Sequence, residues 1–352
     1  MTSKRVIDRR RALLAGGGAI AGAVVPAWAA PARAASDERL TIVGNQLQRG
    51  GKPIRLTGVA VADPIFVRKG RSLDDYRIIA QDWQANVVRI SLHPCHWREN
   101  ASAAFAALAA DITAARSRGL IVILDWHAIG LPGGYVERPD PAWGLPPDAY
   151  LSDVPLALSF WREMAQGFGH DPGIIFELWN EPVVDDKVIT STGLHWPKLK
   201  ELWLRLLEVI RADSEAIVLA AGARFAHDLR GVASNLIDDD RVAYAWHCYP
   251  QMDAGLPNRW HVSLDGLPAV KPVIVTEWGF ARDGEPALRG TPEGFGASFE
   301  REALERYHLH STAWVWSPSA GPAMLGENDA PTEYGHFVKA QIARSRAQAG
   351  GK

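Results

Sequence analysis

Residues 174–183 read IIFELWNEPV. Ile174, Ile175 and Phe176 are β-branched or aromatic, Asp171-Pro172-Gly173 stands before them and Pro182 closes the stretch, a pattern that predicts a buried strand. The strand ends on Asn180 and Glu181, and a carboxylate at the end of a buried strand is costly unless chemistry uses it. A second stretch, PVIVTEWGF from Pro272 to Phe280, repeats the design and delivers Glu277. Two strands that each end on a glutamate predict paired carboxylates facing one cleft.

Outward from these two stretches, strand-like runs alternate with helical ones. Strands are expected at Ile54–Val61, Asn86–Leu92, Leu120–Trp126, Gly173–Trp179, Ala216–Ala221, Val242–Cys248, Val273–Thr276 and Ser311–Trp316. Helices are expected at Ser72–Gln84, Ala101–Arg118, Leu156–Phe168, Trp196–Ala212, Asp228–Leu236, Ala297–Tyr307 and Tyr334–Arg346. Eight strands in alternation with helices imply one α/β domain, a (β/α)8 TIM barrel over residues 36–352. An open doubly wound sheet is the alternative, but no Gly-rich phosphate loop follows the first strand. The Pro- and Gly-rich stretch Ala128–Asp153 and the segment Pro250–Pro268 are expected to be substrate-facing insertions.

The first 35 residues differ from the rest. Arg9-Arg10-Arg11 precedes an apolar run from Leu13 to Ala30, and Ala32-Arg33-Ala34 fits a cleavage site, so a twin-arginine signal and export to the periplasm or beyond are expected. A membrane anchor is the competing reading, but the run is rich in Gly and Ala and broken by Pro26. Removing residues 1–35 takes six basic residues and one acidic one, which moves the formal net charge from −2 to −7. Such a surface argues against nucleic acid or an anionic membrane as partner and suits a neutral substrate. A protein folded before export should not need a disulfide between its two cysteines, Cys95 and Cys248, which the barrel reading puts on opposite sides.

Glycoside hydrolysis requires a carboxylate pair: one acid protonates the leaving oxygen while the other group attacks the anomeric carbon or activates water. The IIFELWNEPV stretch resembles the signature of glycoside hydrolase family 5. The polar residues at the expected strand ends, Arg89, His127, Asn180, Glu181, His247, Tyr249, Glu277 and Trp316, follow the order of that family's active site. The resemblance implies a retaining, cofactor-free β-glycanase acting as a monomer on a β-glycan polysaccharide or oligosaccharide, with Glu181 as acid/base and Glu277 as nucleophile. A cellulase-like endo-β-1,4-glucanase is the first expectation and a β-mannanase the nearest rival. A barrel that binds glycan without cleaving it, or a metalloprotein, are readings of other classes.

Physical chemistry adds roles of its own. Tyr249 and Arg89 can donate to Glu277 and keep it ionised, His127 and His247 can orient Glu181 or bind sugar hydroxyls, and Asn180 can hold the 2-hydroxyl. Side-chain alternation gives Asp125 the parity of His127 and Glu177 that of Glu181, so both extra carboxylates should point into the barrel with Arg89 as their cation. Among the 14 tryptophans, Trp316 is expected to floor the −1 sugar position. Trp97, Trp143, Trp196, Trp260 and Trp278 are candidates for other subsites, while Trp179, Trp203, Trp246 and Trp314 read as structural. His93, Cys95 and His96 crowd together, but the HPCH order matches no standard zinc spacing, so no metal is expected.

Overall fold

A computed structural model describes residues 39–66, 72–183, 195–252 and 259–350. The expected export signal lies outside these residues. Eight parallel strands close into a barrel: β4 (Thr57–Val61), β5 (Val87–Leu92), β6 (Ile121–Trp126), β7 (Ile174–Glu177), β8 (Ile217–Ala221), β9 (Val242–Cys248), β10 (Val273–Trp278) and β11 (His310–Ala313). Each pairs with its successor, and β11 closes on β4 through Ser311 opposite Thr57. The fold is therefore the (β/α)8 barrel read from the sequence. All residues of the eight strands are buried, as expected of a parallel sheet covered by helices outside and filled by side chains inside.

Three antiparallel strands precede the barrel and were not expected: β1 (Leu40–Val43), β2 (Gln46–Arg49) and β3 (Lys52–Pro53). They cap its N-terminal end, where Leu40 N donates to Pro172 O just before β7 and Asn45 Nδ2 to Pro268 O ahead of β10. Their alternation is short and mostly polar, with Leu40 and Leu47 alone fully buried, so little in the pattern separates them from a loop.

The covering helices follow their apolar periods. In the helix Val154–Phe168, Ala157, Phe160, Trp161, Met164 and Ala165 are buried on one stripe, and Asp153 caps the start by accepting from Leu156 N at 2.7 Å. In Trp196–Arg211 the buried stripe is Trp196, Leu199, Trp203, Leu206, Leu207 and Ile210. The helix expected at Ala101 starts earlier, at Pro94, and breaks at Asn100, whose extended backbone lets Oδ1 cap Ala103 N at 3.0 Å. The expected helix at Asp228–Leu236 is instead a series of turns, because Asp228 accepts from its own downstream Arg230 N and Gly231 takes a left-handed φ of 80°.

Candidate active site

The functional side chains converge at the C-terminal mouth of the barrel. Beyond Glu177 the chain leaves regular strand pairing, but Asn180 N donates to Trp126 O and Glu181 N to Ala128 O, both at 3.0 Å, while Gly130 N donates to Glu181 O at 2.9 Å. These bonds extend the β6–β7 pairing past the strand end and fix Glu181 at the rim. On the other side, the register of β10 against β9 shifts between Val275 and Glu277, so Thr276 forms a bulge. Bulges re-aim the next side chain, and here that side chain is Glu277.

One oxygen from each of Glu181 and Glu277 and one ring nitrogen of His247 all lie within 4.8 Å of one another. Glu277 is held from two sides, by Tyr249 Oη donating to Oε2 at 2.8 Å and by Arg89 Nη1 donating to Oε1 at 2.7 Å. Glu181 Oε1 lies 3.0 Å from His247 Nδ1, whose other nitrogen is 3.1 Å from Thr276 Oγ1 on the bulge.

Beneath the two glutamates sits the charge network expected from parity. Asp125 and Glu177 are register partners on β6 and β7. Arg89, fully buried, reaches Glu177 Oε2 at 2.6 Å, Asp125 Oδ2 at 3.0 Å and Asn180 Oδ1 at 2.7 Å. Burial alone would lower the guanidinium pKa, but Asp125, Glu177 and Glu277 outweigh it and raise it. Burial opposes the charge on Glu177, yet Arg89 and His247 hold its pKa at about 2. For Asp125 burial prevails over Arg89 and, with Glu177 beside it, lifts the carboxyl to about 7.

The upper pair is tuned by the same forces. Burial raises the pKa of Glu181, with His247 pulling it down and Glu277 pushing it up. Burial would discharge His247, but Glu277, Glu177 and Glu181 lift its pKa to about 10. His127, hydrogen-bonded through Nδ1 to Asp125 Oδ2 at 2.7 Å, is kept neutral by burial and by the neighbouring His93.

These groups open into a cavity of about 620 Å³. Of the residues selected from sequence, His127, Asn180, Glu181, Tyr249, Glu277 and Trp316 line it. Arg89 and His247, grouped with the substrate-binding residues, do not line it: both are 0% exposed and stand behind the glutamates, because their strand positions point into the barrel below the mouth, and there Arg89 donates to Glu277 and His247 holds Glu181, as also expected. Trp314, read as structural, is a wall of the cavity. Its ring stacks on His127 at 5.2 Å and 11° and lies 5.9 Å from the Arg89 guanidinium carbon. Strand β11 ends at Ala313, three residues before the expected boundary, which makes Trp314 the first side chain past the strand. Trp316 also reaches the cavity but is 4% exposed and packs edge-on against Trp83 at 4.7 Å.

The other tryptophans divide cleanly. Trp143 lines the cavity from the long loop and is 46% exposed. Trp97, Trp196, Trp260 and Trp278 are buried among helices and strands and do not line the cavity. Tyr150 and Asp63 carry no signal in the sequence and His93 none beyond its place in HPCH; His93 and Tyr150 line the cavity, and Asp63 holds His93. The HPCH order predicts no metal; in the structure His93 and His96 meet Asp63, with ligand atoms of the three within 4.8 Å of one another. Cys95 and Cys248 are buried and are not joined in a disulfide.

A parallel barrel with two glutamates and a buried guanidinium at its C-terminal mouth defines a site suited to acid–base chemistry. The cellulase model of glycosyl hydrolase family 5 matches residues 47–320, and the chain belongs to that family. Among solved structures, the β-glucanase SdGluc5_26A of Saccharophagus degradans, in complex with cellotetraose, is similar with a TM-score of 0.77 and 25% identity, covering 88% of this chain and 94% of that one. Among curated relatives, the cellulase CelDZ1 of a Thermoanaerobacterium species is 25% identical over 278 residues, 76% of this chain and 66% of that protein. Endoglucanase A of Butyrivibrio fibrisolvens is 23% identical over 299 residues, 82% of this chain and 62% of that protein. The chain thus spans just under two thirds of the length of these two relatives.

Proposed function

We propose that this protein is an endo-β-1,4-glucanase that cleaves glucan chains by double displacement. The observation that carries the mechanism is the proximity of Glu181 and Glu277, whose facing oxygens lie within 4.8 Å. Retaining glycosidases hold their carboxyl groups about 5–5.5 Å apart, whereas inverting ones leave about 6.5–9.5 Å for a water.

Glu277, which accepts hydrogen bonds from Arg89 and Tyr249, is the nucleophile. Its carboxylate oxygen bonds to the anomeric carbon as the bond from that carbon to the leaving oxygen breaks, and Glu181 gives the leaving oxygen its proton. Water then attacks the same carbon as its bond to the Glu277 oxygen breaks, passes a proton to Glu181, and leaves a free sugar and the restored Glu277 carboxylate. Glu181 suits the acid role because burial and the nearby Glu277 favour its neutral form. Asn180, whose Oδ1 accepts from Arg89 at 2.7 Å, keeps its amide nitrogen for the 2-hydroxyl, and Trp314 contacts the sugar from the cavity wall. Support for a glucan substrate comes from the relatives, named as cellulases and endoglucanases, and from the cellotetraose bound by the similar β-glucanase.

The test is a product profile on cellulose, mixed-linkage glucan, mannan, xylan and xyloglucan with wild type and Glu277→Gln. Release of β-configured oligosaccharides from glucans, lost in the variant, is expected. Equal sugar release by both proteins, or cleavage of mannan alone, overturns the reading. Export through the twin-arginine signal and a monomeric state belong to the same proposal. Retention of an Arg9→Lys/Arg10→Lys variant in the cytosol and the elution volume of the mature protein check them.

A further inference from the structure

His93, outside the set drawn from the family resemblance, stands next to His127 in an arrangement that repeats it. His127 follows β6 and hydrogen-bonds through Nδ1 to a buried carboxylate, Asp125, at 2.7 Å. His93 follows β5 and does the same with Asp63 at 2.9 Å. The two rings meet edge to face with centroids 5.0 Å apart, and both line the cavity. Among the described residues neither Nε2 has a hydrogen-bond partner, and neither is among the buried polar atoms sealed from solvent without one.

Asp63 explains why His93 is held so firmly. It is fully buried, and its Oδ1 accepts from Ile65 N and Phe66 N while its Oδ2 accepts from His93 N at 2.7 Å, His93 Nδ1 at 2.9 Å and His96 Nδ1 at 2.7 Å. Burial works against the charged form of His96, but Asp63 and Cys95 lift its pKa to about 10, so His96 supplies the countercharge for Asp63. The three side chains are a hydrogen-bonded cluster around one oxygen that already takes three donors, which is a support for His93 more than a vacant ligand set. Phe66 and Tyr150 pack on the His93 ring at 5.8 and 5.4 Å and fix its plane. A buried imidazole with one nitrogen anchored on a carboxylate is pre-organised to offer the other nitrogen to a ligand.

We infer that His93 is a glycan-binding residue: with Nδ1 anchored on Asp63, its Nε2 hydrogen-bonds a hydroxyl of the sugar unit that also meets His127, so that paired imidazoles read neighbouring hydroxyls of one pyranose ring. The inference rests on the proposed glucanase reading of the cleft. It makes His93 a determinant of which pyranose is accepted, since an epimer would present a hydroxyl to only one of the two rings.

Two substitutions separate this role from a structural one. His93→Gln puts an amide near the position of Nε2 and gives up the Asp63 contact; His93→Asn keeps a polar group near Nδ1 and gives up the cleft contact. Binding of cello-oligosaccharides is measured by calorimetry in the Glu277→Gln background, and KM and kcat on soluble β-glucan in the active enzyme. Loss of one neutral hydrogen bond should weaken binding roughly three- to tenfold. His93→Asn is expected to show that loss and a KM that rises more than kcat falls, and His93→Gln to recover much of the affinity. Equal behaviour of the two variants, or better affinity in His93→Asn than in His93→Gln, overturns the assignment. Absence of glycan binding and cleavage by the parent protein would instead overturn the proposed function.

Discussion

Replacement of Arg89 by methionine tests whether one guanidinium holds the carboxylates at the barrel mouth charged and oriented. The side chain is 0% exposed and meets Glu177 at 2.6 Å, Glu277 and Asn180 at 2.7 Å and Asp125 at 3.0 Å. Methionine fills much of the same space, so the dominant change is electrostatic. Breaking a buried ion pair by removing one partner costs about 3–5 kcal/mol, because the other charges stay behind uncompensated. At about 2 °C per kcal/mol, the low end suited to a large domain, the melting temperature should fall by about 6–10 °C near pH 8.

The sign of the pH dependence follows from the same charges. Without Arg89 the folded-state pKa values of the buried carboxyls rise above their unfolded values. A raised carboxyl pKa destabilises where the group is forced to ionise, and the penalty disappears as falling pH protonates it. The gap between wild type and Arg89→Met should therefore narrow from pH 8 to pH 5 in scanning calorimetry. A gap under about 1 kcal/mol at pH 8, the worth of an exposed pair, or a gap equal at both pH values, refutes the reasoning.

Three further outcomes are expected. Glu181→Gln should lower kcat on glucan by about 10²–10⁴-fold, the usual contribution of a general acid, with a smaller loss on aryl cellosides whose phenol leaves without protonation; equal losses on both substrates contradict its role. His247→Gln removes a cation 3.0 Å from Glu181, so the alkaline limb of the kcat/KM profile should move to higher pH. Because the folded pKa of His247 is raised to about 10, its contribution to stability is full below its unfolded pKa of about 6.5 and is lost as pH rises through 10. The variant should accordingly flatten the decline in wild-type stability over that window, as read by urea denaturation at stepped pH. Trp314→Ala should raise KM roughly tenfold, equivalent to about 1.4 kcal/mol, whereas Trp316→Ala should act mainly through stability, by about 3–5 kcal/mol, because its ring packs on Trp83. The reverse order in a paired kinetic and melting experiment would reassign the sugar platform.

The barrel and its two glutamates were legible in the linear pattern of residues. Alternating strand and helix periods need no knowledge of the partner strand, and a carboxylate closing a buried run, as Glu181 and Glu277 do, stands out because burial makes it costly. Parity along β6 and β7 likewise placed Asp125 and Glu177 inside the barrel, and charge balance then required Arg89. Depth and neighbourhood were set by folding. Alternation says which face a side chain takes but not where a strand stops. The end of β11 at Ala313 therefore put Trp314 over His127, and Arg89 and His247 came to lie behind the glutamates instead of in the cleft. His93 was legible only as part of a crowded HPCH; its meaning came from Asp63, 30 residues away, brought beside it by the pairing of β4 with β5. Contacts across strands are set by closure of the barrel, and a linear pattern carries no record of that closure.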